Sequence, residues 1–449
     1  MGNANPITTG VIWKQILIFF FPILVGAFFQ QLYNAVDAAV VGQFAGEMAL
    51  ASVGGSSGQI VNLIFSFFMG LSTGATVIIA QYFGAKEYDK ANTALHTAYA
   101  ASVLGGLILG AVGVLISRPF LRLLSTPKEL MPGSTLYVRI LMAGLVFTLI
   151  FNIGSGILRA IGDSKRPLYI LMMCCGLNIV LDLFFVVGLK LGVLGAALAT
   201  VLCQALSSGV ITYLLVKKTE FLTLRFSNLR IDPKTLGRIL HIGLPTALAG
   251  SMFGISNMTV QTSVNALGVN TVAAWTAYSK IDALFWMVNQ AFSMSTTTFI
   301  GQNYGARLPK RIRKATREVL AMEIGTSLCL SAFFLTCAPI LLRLFASNPE
   351  VIQIGIRISR RMAPFYACFA VNEILGATLR AENYIVFSTI TNLLTICVFR
   401  IFWVKFLFPG ASILRITECY PISWALTSIV VLIYYMVMQP RILRRLQEA

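Results

Sequence analysis

The chain has 449 residues, of which 57% are hydrophobic and only 12% are charged. A soluble protein of this size needs a larger charged fraction to cover its surface, so the composition excludes a soluble globular protein and a disordered chain. The chain is therefore predicted to be a polytopic membrane protein. Its net charge of +18 comes from 35 Lys and Arg residues against 17 Asp and Glu residues.

Twelve long apolar runs follow one another along the chain. A membrane-spanning helix needs ~20 largely apolar residues, whereas a strand of a membrane barrel needs only ~10 residues of alternating polarity. The runs are continuous and of helical length, so they predict an all-α bundle of twelve transmembrane helices without a soluble domain. The predicted spans are 14–41, 52–81, 93–117, 133–157, 167–189, 192–216, 239–264, 272–300, 318–342, 359–379, 384–408 and 413–438.

Basic residues are concentrated on one side of this predicted bundle. With the N-terminus inside, the loops 217–238 and 307–317 and the tail 441–445 are all cytoplasmic. Only Lys280 among the basic residues is assigned to the inside of a span. The positive-inside rule then places both termini in the cytoplasm. The basic loops are expected to contact anionic lipid headgroups, and nucleic acid is not expected as a partner.

The sequence repeats itself in order. The segment QYFGA at 81–85 recurs as QNYGA at 302–306, and the tripeptide LRA at 158–160 recurs at 379–381. Both pairs are separated by 221 residues. Matches at one offset, in the same order, indicate an internal duplication.

Each half of the duplication contains six predicted helices. Because six is even, both halves start on the same side of the membrane, and the repeats are parallel. The predicted lobes are 1–216 and 239–449, joined by the basic linker 217–238. Two such bundles enclose a cavity where they meet, a geometry typical of alternating-access transporters.

Acidic residues inside the spans are candidates for function, because burying a charge in a membrane costs several kcal/mol. Asn178 lies one helical turn from Asp182, and Thr200 and Asp37 are placed at comparable heights in the outer half of the same lobe. This oxygen-rich set suits a small hard cation such as Na⁺, or a proton. The alternative is that Asp182 and Asn178 only hydrogen-bond neighbouring helices. The four acids assigned to the inside of spans are Asp37, Asp182, Asp282 and Glu373.

Further polar residues are placed where they would line a cavity. Asn152 in the fourth span would join a polar stripe on the first span, although such a stripe also suits contact with a partner helix. In the other half Glu373 is a candidate for a second cation or substrate contact, while Lys280 and Asp282, two residues apart, are each expected to pair with another helix. The stripe consists of Gln30, Tyr33, Asn34 and Asp37, and the seventh span carries Asn257, Gln261 and Asn265 at helical spacing.

The sequence lacks the motifs of common catalytic sites. It contains no HExxH and no P-loop GxxxxGK[ST]. The eight cysteines lie inside predicted spans without a CxxC spacing, so they are interpreted as packing residues. No enzymatic activity and no cofactor are expected, and transport is predicted to be ion-coupled or passive.

Ordered motifs extend over the whole chain, and together they resemble the multidrug and toxic compound extrusion (MATE) transporters of the MOP flippase superfamily. They are Pro22, Gln30, Tyr33, Asp37 and Gly42 in the first span, Gly70 and Gly74 in the second, Leu158 to Pro167 after the fourth, Asn178 and Asp182 in the fifth, Gly195 to Thr200 in the sixth, Gly243 to Pro245 in the seventh, and Gly301 to Ala306 after the eighth.

The resemblance implies a cation-coupled antiporter that expels amphipathic, often cationic compounds. It assigns the coupling cation to Asp37, Asn178, Asp182 and Thr200, and the adjacent substrate chamber to Gln30, Tyr33, Asn34 and Asn152. Pro22 is implied as the bending point of the first helix. The seventh span lacks the Glu that some relatives place there, so Glu373 is the only strong acid left for a cation site in the second lobe.

The resulting hypothesis is a monomeric secondary antiporter in a bacterial-type cytoplasmic (inner) membrane. It exports amphipathic drugs or toxic metabolites in exchange for H⁺ or Na⁺, and oxygen ligands suit both ions. The first alternative is a flippase for lipid-linked glycans from the same superfamily, whose chambers tend to be basic. The second is a membrane-embedded enzyme or receptor, which the parallel duplication disfavours.

Overall fold

The computed structural model describes residues 5–124, 126–217 and 221–448. The structure is 88% helical, and the described residues contain no strand. The predicted all-α fold is thereby confirmed.

Twelve long helical segments account for most of the described chain. Several contain a short break or a stretch of π-helix, and each is treated as one segment. In chain order they are α1 (Ile12–Ala45), α2 (Glu47–Gly84), α3 (Tyr88–Leu123), α4 (Met131–Ala143 with Leu145–Ala160), α5 (Lys165–Gly188), α6 (Val193–Lys217), α7 (Pro233–Asn265), α8 (Val269–Gly305), α9 (Pro309–Arg343), α10 (Pro349–Ala381), α11 (Ile385–Leu407) and α12 (Ile413–Glu448).

Not all twelve segments are equally apolar. Ten described helices are long and apolar enough to cross a membrane, and α4, whose halves meet at 49°, is an eleventh. The segment that falls short is α8, because hydroxyl and amide side chains fill its second half. Those side chains, among them Ser293, Thr297 and Asn303, are buried in protein, where polar groups do not contact lipid. The structure therefore supports a multi-pass membrane protein, with α8 as a span whose polar face is covered.

The chain folds into two compact units. One consists of Phe21–Ala247 and the other of Met1–Phe20 with Leu248–Ala449. The chain passes between them inside α1 and inside α7, next to Pro22 and Pro245 respectively. The predicted lobes, by contrast, were divided in the loop before α7. The division into lobes 1–216 and 239–449 stays a prediction, and it describes the repeated halves of the sequence.

Hydrogen bonds explain why the first residues belong with the C-terminal half. The amide of Asn5 donates to Gln302 Oε1 at 2.8 Å in α8. Arg311 of α9 donates through Nη2 to the backbone carbonyl of Ile7 at 2.9 Å. The N-terminal segment is thus fixed on two helices of its own unit.

The described part of the predicted linker 217–238 is docked on α3. Asn92 Oδ1 accepts a hydrogen bond from the backbone N–H of Thr223 at 3.0 Å. One turn further along α3, His96 Nε2 accepts from the backbone N–H of Arg225, also at 3.0 Å. Residues 218–220, which include Lys218, lie outside the described residues. The bonded part of the linker is an ordered portion of the N-terminal unit.

The start of α7 is capped by the residue before it. Asp232 Oδ2 accepts a hydrogen bond from the backbone N–H of Thr235 at 2.8 Å. Hydrogen bonds from Thr235 lower the pKa of the Asp232 carboxyl. Pro233 takes the first helical position, where its missing N–H has no cost.

The backbones of α2 and α7 touch at glycines in the N-terminal unit. A Cβ atom added to Gly74 would lie 2.3 Å from the carbonyl oxygen of Ile239 and 2.7 Å from the backbone nitrogen of Gly243. A Cβ on Gly70 would lie 2.3 Å from the backbone nitrogen of Ala247. Because backbone atoms cannot give way as flexible side chains do, these contacts require glycine.

We predict that Gly74→Ala lowers the midpoint of thermal unfolding in detergent. Overpacking of this kind costs about 1–3 kcal/mol, because the two helices must separate. Gly105→Ala is the matched control: Gly105 lies inside α3 and an added Cβ would meet open space. The control should be neutral or slightly stabilising. Equal midpoints for the two variants would contradict the assigned contact.

Candidate functional site

Two carboxylates from different helices meet in the N-terminal unit. Asp37 of α1 is 8% exposed, and Asp182 of α5 is fully buried. Their carboxyl groups interact directly with each other. Shortly after Asp37 the helix winds into a π-helical stretch, Val41–Ala45, and the same happens directly after Asp182, in Leu183–Gly188. Stretches of π-helix are frequent at functional sites.

The polar atoms of this pair lack partners within the protein. In the described part of the chain, Asp37 Oδ1, both oxygens of Asp182 and both side-chain polar atoms of Asn178 are buried without a hydrogen bond. Buried polar groups are normally paired. Ionised carboxylates only accept hydrogen bonds, so close contact between two of them requires a proton or a cation. The site therefore fits a small positively charged species.

The other predicted ligands lie around the pair. Tyr33 of α1 points its hydroxyl toward Thr200 of α6 and toward Asp37, without a hydrogen bond of normal geometry. Asn178 lies one turn before Asp182 and interacts with Cys203 of α6. Three helices, α1, α5 and α6, thus contribute two hydroxyls, an amide and two carboxylates to one region.

The remaining N-terminal candidates differ in burial. Gln30 is half-buried and Asn34 is exposed. Asn152 is buried, and its amide donates to the carbonyl of Thr148 at 2.9 Å. The backbone carbonyl of Asn152 accepts from Ser72 Oγ of α2 at 2.9 Å. Asn152 is thus fixed by contacts within its own unit.

The candidates in the C-terminal unit take part in local networks. Gln261 donates to Asn265 Oδ1 at 2.8 Å and accepts from Trp275 Nε1 at 2.9 Å. Glu373 accepts from Ser293 Oγ at 2.5 Å and forms an ion pair with Arg380 at 3.2 Å. These bonds tie α7 to α8, and α8 to α10.

Two buried acids were missed by the sequence reading, which placed them in loops or at helix ends. Glu323 is 1% exposed and interacts electrostatically with Glu373. It is deep because α9 begins at Pro309, well before the predicted edge of the span. Glu382, directly after α10, is fully buried and accepts from Gln439 Nε2 at 2.7 Å. The interpretation of Glu373 as the only strong acid of the second lobe is therefore wrong.

Asp282 accepts hydrogen bonds from aromatic side chains. Trp286 Nε1 donates to it at 2.7 Å and Tyr278 donates at 3.3 Å. The hydroxyl of Tyr366 donates from α10, so the expected contact of Asp282 with another helix is present. Lys280 is exposed instead. Asp282 thus has a structural network that the carboxylate pair lacks.

The structure corrects the prediction of which basic residues lie inside spans. The sequence reading left Lys280 as the only basic residue inside a span, but Arg400 lies within α11 and is fully buried. Its Nη1 donates to Asn257 Oδ1 at 3.4 Å. Tyr420 donates to the same oxygen at 3.4 Å. Asn257 is therefore a contact of a buried guanidinium.

Comparison with known sequences identifies one family. The profile of the MatE family matches residues 22–184 and again 245–404. Together the two matches cover more than two thirds of the chain. Their starts and ends are offset by 223 and 220 residues, in agreement with the duplication seen in the sequence.

Individual relatives and structures agree with this match. The chain is 29% identical over 400 residues to the probable multidrug resistance protein YpnP of Bacillus subtilis, covering 89% of each chain. It is 23% identical to the probable multidrug resistance protein NorM of Thermotoga maritima, covering 79% of this chain and 76% of the relative. A crystal structure of MATE in the bent conformation is 23% identical, covers 100% of both chains and has a TM-score of 0.91, which shows the same fold.

We predict that Tyr366→Phe destabilises the C-terminal unit. The change keeps the stacking of the ring on Phe285, at 4.0 Å between centroids, but removes a hydrogen bond to Asp282. Loss of a hydrogen bond to a charged group costs about 1.5–3 kcal/mol, so the thermal midpoint in detergent should fall. Tyr434→Phe is the control, because Tyr434 stacks on Phe387 in a similar way, at 3.8 Å. An equal effect of both changes would contradict the role given to the Tyr366 hydroxyl.

Proposed function

The chain belongs to the MatE family of multidrug transporters, and we propose that it is a secondary antiporter that exports amphipathic, mainly cationic compounds in exchange for H⁺ or Na⁺. The observation that carries this proposal is the buried pair Asp37 and Asp182, three of whose four oxygens have no hydrogen-bond partner among the described residues. Relatives named as multidrug resistance proteins support the class of substrate.

The coupling follows from the chemistry of the carboxylate pair. Asp37 and Asp182 together carry up to two negative charges in a buried site, with Asn178 and Thr200 as neutral oxygen donors. A proton or Na⁺ that enters this site cancels part of the charge that a cationic substrate would favour. Ion and substrate then stabilise different states of the transporter, which is the requirement for antiport.

Substrate contacts are proposed for the polar residues near this site and in the other unit. Gln30, Tyr33, Asn34 and Asn152 would contact the compound in the N-terminal unit. Asn257, Gln261 and Glu373 would do so in the C-terminal unit. Amide and hydroxyl groups bind polar parts of a ligand without demanding one shape, which suits a transporter of several compounds.

Bending is proposed at the helices that pass between the two units. Pro22 lies inside α1, directly after Phe21, and Pro245 lies inside α7, two residues before Ala247; Phe21 and Ala247 are the ends of the N-terminal unit. An internal proline removes a helical hydrogen bond and favours a kink. Pro22 is therefore the proposed hinge of alternating access. The protein is further proposed to be a monomer in a bacterial cytoplasmic membrane, with both termini in the cytoplasm.

Transport in proteoliposomes tests the antiport directly. A gradient of H⁺ alone and then of Na⁺ alone is imposed, and the movement of ethidium is followed by fluorescence. We expect one gradient to drive ethidium against its own gradient in the wild type. Asp37→Asn should reduce that rate about tenfold or more, because the site loses one of its two negative charges.

Asp89→Asn is the matched control, since Asp89 is exposed at the start of α3. It should transport like the wild type. Full ion-dependent transport by Asp37→Asn would refute the coupling role of the carboxylate pair. If neither gradient moves ethidium in the wild type, the antiporter proposal fails, and the flippase alternative is tested next with lipid-linked glycans.

We predict that Pro22→Ala slows transport but leaves ion binding intact. Alanine restores the helical hydrogen bond and makes bending of α1 harder. Transport is measured as above, and ion binding is measured as the rise of the thermal midpoint on adding the coupling ion. Pro339→Ala, inside α9, is the control for loss of a helix proline far from the change of unit. Unchanged transport in Pro22→Ala would remove Pro22 as the hinge.

A further inference from the structure

A guanidinium is enclosed in the C-terminal unit. Arg400 is fully buried, and its Nε donates to Ser423 Oγ at 3.1 Å. Its Nη1 donates to Asn257 at 3.4 Å, which is at the long limit of a hydrogen bond. Within the described residues its Nη2 has no hydrogen-bond acceptor. Arg400 thus keeps one nitrogen, Nη2, without a partner and a second, Nη1, with only a long hydrogen bond.

Aromatic rings surround this guanidinium. Its central carbon lies 4.0 Å from the ring centroid of Tyr420, 5.5 Å from that of Phe253 and 5.9 Å from that of Trp424. Contacts of a cation with aromatic faces are favourable, and they hold the guanidinium plane in a fixed orientation. They do not neutralise its charge.

Among the described residues Arg400 has no acidic partner. In the described part of the chain the ion pairs of the C-terminal unit use other basic residues, such as Arg380 with Glu373 and Arg361 with Glu418. Asp282 is bonded by aromatic donors instead. A charge buried in a membrane protein without a partner is costly and is rarely kept without a function.

The fifth helices of the two repeats, α5 and α11, carry opposite buried charges. Both helices contain π-helical stretches, Leu183–Gly188 in α5 and Leu393–Val398 and Trp403–Leu407 in α11. Asp182 of α5 and Arg400 of α11 are both fully buried. One repeat therefore carries a buried carboxylate in the helix in which the other carries a buried guanidinium.

The enclosure of the guanidinium is least complete along α7. Phe253 and Asn257, one helical turn apart, are half-buried, whereas Trp424 and Ser423 are fully buried. The long bond between Asn257 and Arg400 is the weakest part of the enclosure. Rotation of the Asn257 side chain would expose the Nη1 and Nη2 edge of the guanidinium on that side.

We infer that Arg400 binds an anionic group, a carboxylate or phosphate, on compounds that the protein transports. The planar edge of a guanidinium donates two parallel hydrogen bonds to such a group, and the rings of Phe253 and Tyr420 pack against an attached aromatic system. The protein then accepts aromatic zwitterions in addition to simple cations. This inference deepens the proposed function and rests on it for the transport step, although binding can be tested separately.

Rhodamine B and its ethyl ester form a matched pair of probes. The acid is a zwitterion with a free carboxylate, whereas the ester is a cation with the same ring system. Binding of each dye to purified protein is measured by fluorescence anisotropy. Arg400→Gln should weaken binding of the acid about ten- to a hundredfold, as expected for a charged hydrogen-bonded pair, and change binding of the ester less than about twofold.

Two further variants complete this test. Arg400→Lys keeps the charge but not the planar edge, so it should weaken binding of the acid less than Arg400→Gln does. Arg343→Gln changes an exposed arginine at the end of α9 and should leave both dyes unaffected. Equal losses for acid and ester in Arg400→Gln would overturn the inference, because they would show a general structural role.

A measurement on the wild type does not depend on the folding of any variant. Benzoate should displace rhodamine B at concentrations that leave the ester bound. Displacement of both dyes, or of neither, would overturn the inference, and displacement only by phosphatidylglycerol would assign the guanidinium to lipid. Ion-driven transport of the ester in proteoliposomes tests the proposed antiport independently. Failure of the antiport proposal can therefore be distinguished from failure of the inference about Arg400.

Discussion

The contact between Asp37 and Asp182 is the constraint on which the rest of the N-terminal unit depends. Two carboxylates held together away from water repel each other unless a proton or a cation lies between them. The surrounding helices supply few compensating bonds, because Asn178 and the oxygens of Asp182 have no partners among the described residues. Asp282 of the other unit differs from this pair, because it accepts hydrogen bonds from Tyr278, Trp286 and Tyr366. The N-terminal site thus suits the proposed exchange of an ion, whereas the oxygens of Asp282 are bonded by side chains of the protein.

Close helix packing keeps this site in place. The glycines of α2 let α7 approach within backbone contact, and the linker is docked on α3 by Asn92 and His96. The first half of α7 therefore belongs to the N-terminal unit, while the residues before Phe21 belong to the C-terminal one. Each unit holds a piece of helix from the other half of the sequence. Both connecting helices contain a proline at that place, so the chain offers two bending points.

The sequence predicted the parts of the structure that depend on local composition. Continuous apolar runs identified most spans, and deep acids in one half identified Asp37 and Asp182. The prediction failed for α9. Counting apolar residues does not reveal that the helix begins at Pro309 and that Glu323 is buried within it. It also failed for Arg400, because a long basic side chain near the end of a span can extend to the membrane surface. Only the packing of Phe253, Tyr420 and Trp424 around the guanidinium shows that it does not.

The duplication gives these local observations a common origin. After a gene is duplicated, equivalent positions are free to take different charges, provided that each new charge finds a use or a partner. The carboxylate at 182 lies in the fifth helix of one repeat and the guanidinium at 400 in the fifth helix of the other, and neither has a counter-ion within its own unit among the described residues. Each repeat thus holds one buried charge without a counter-ion among the described residues. Binding of ligands explains both charges, whereas imperfect packing would have to arise independently in each repeat. The proposed coupling ion neutralises only the carboxylates of the N-terminal unit, so it leaves the charge of Arg400 in the C-terminal unit unchanged.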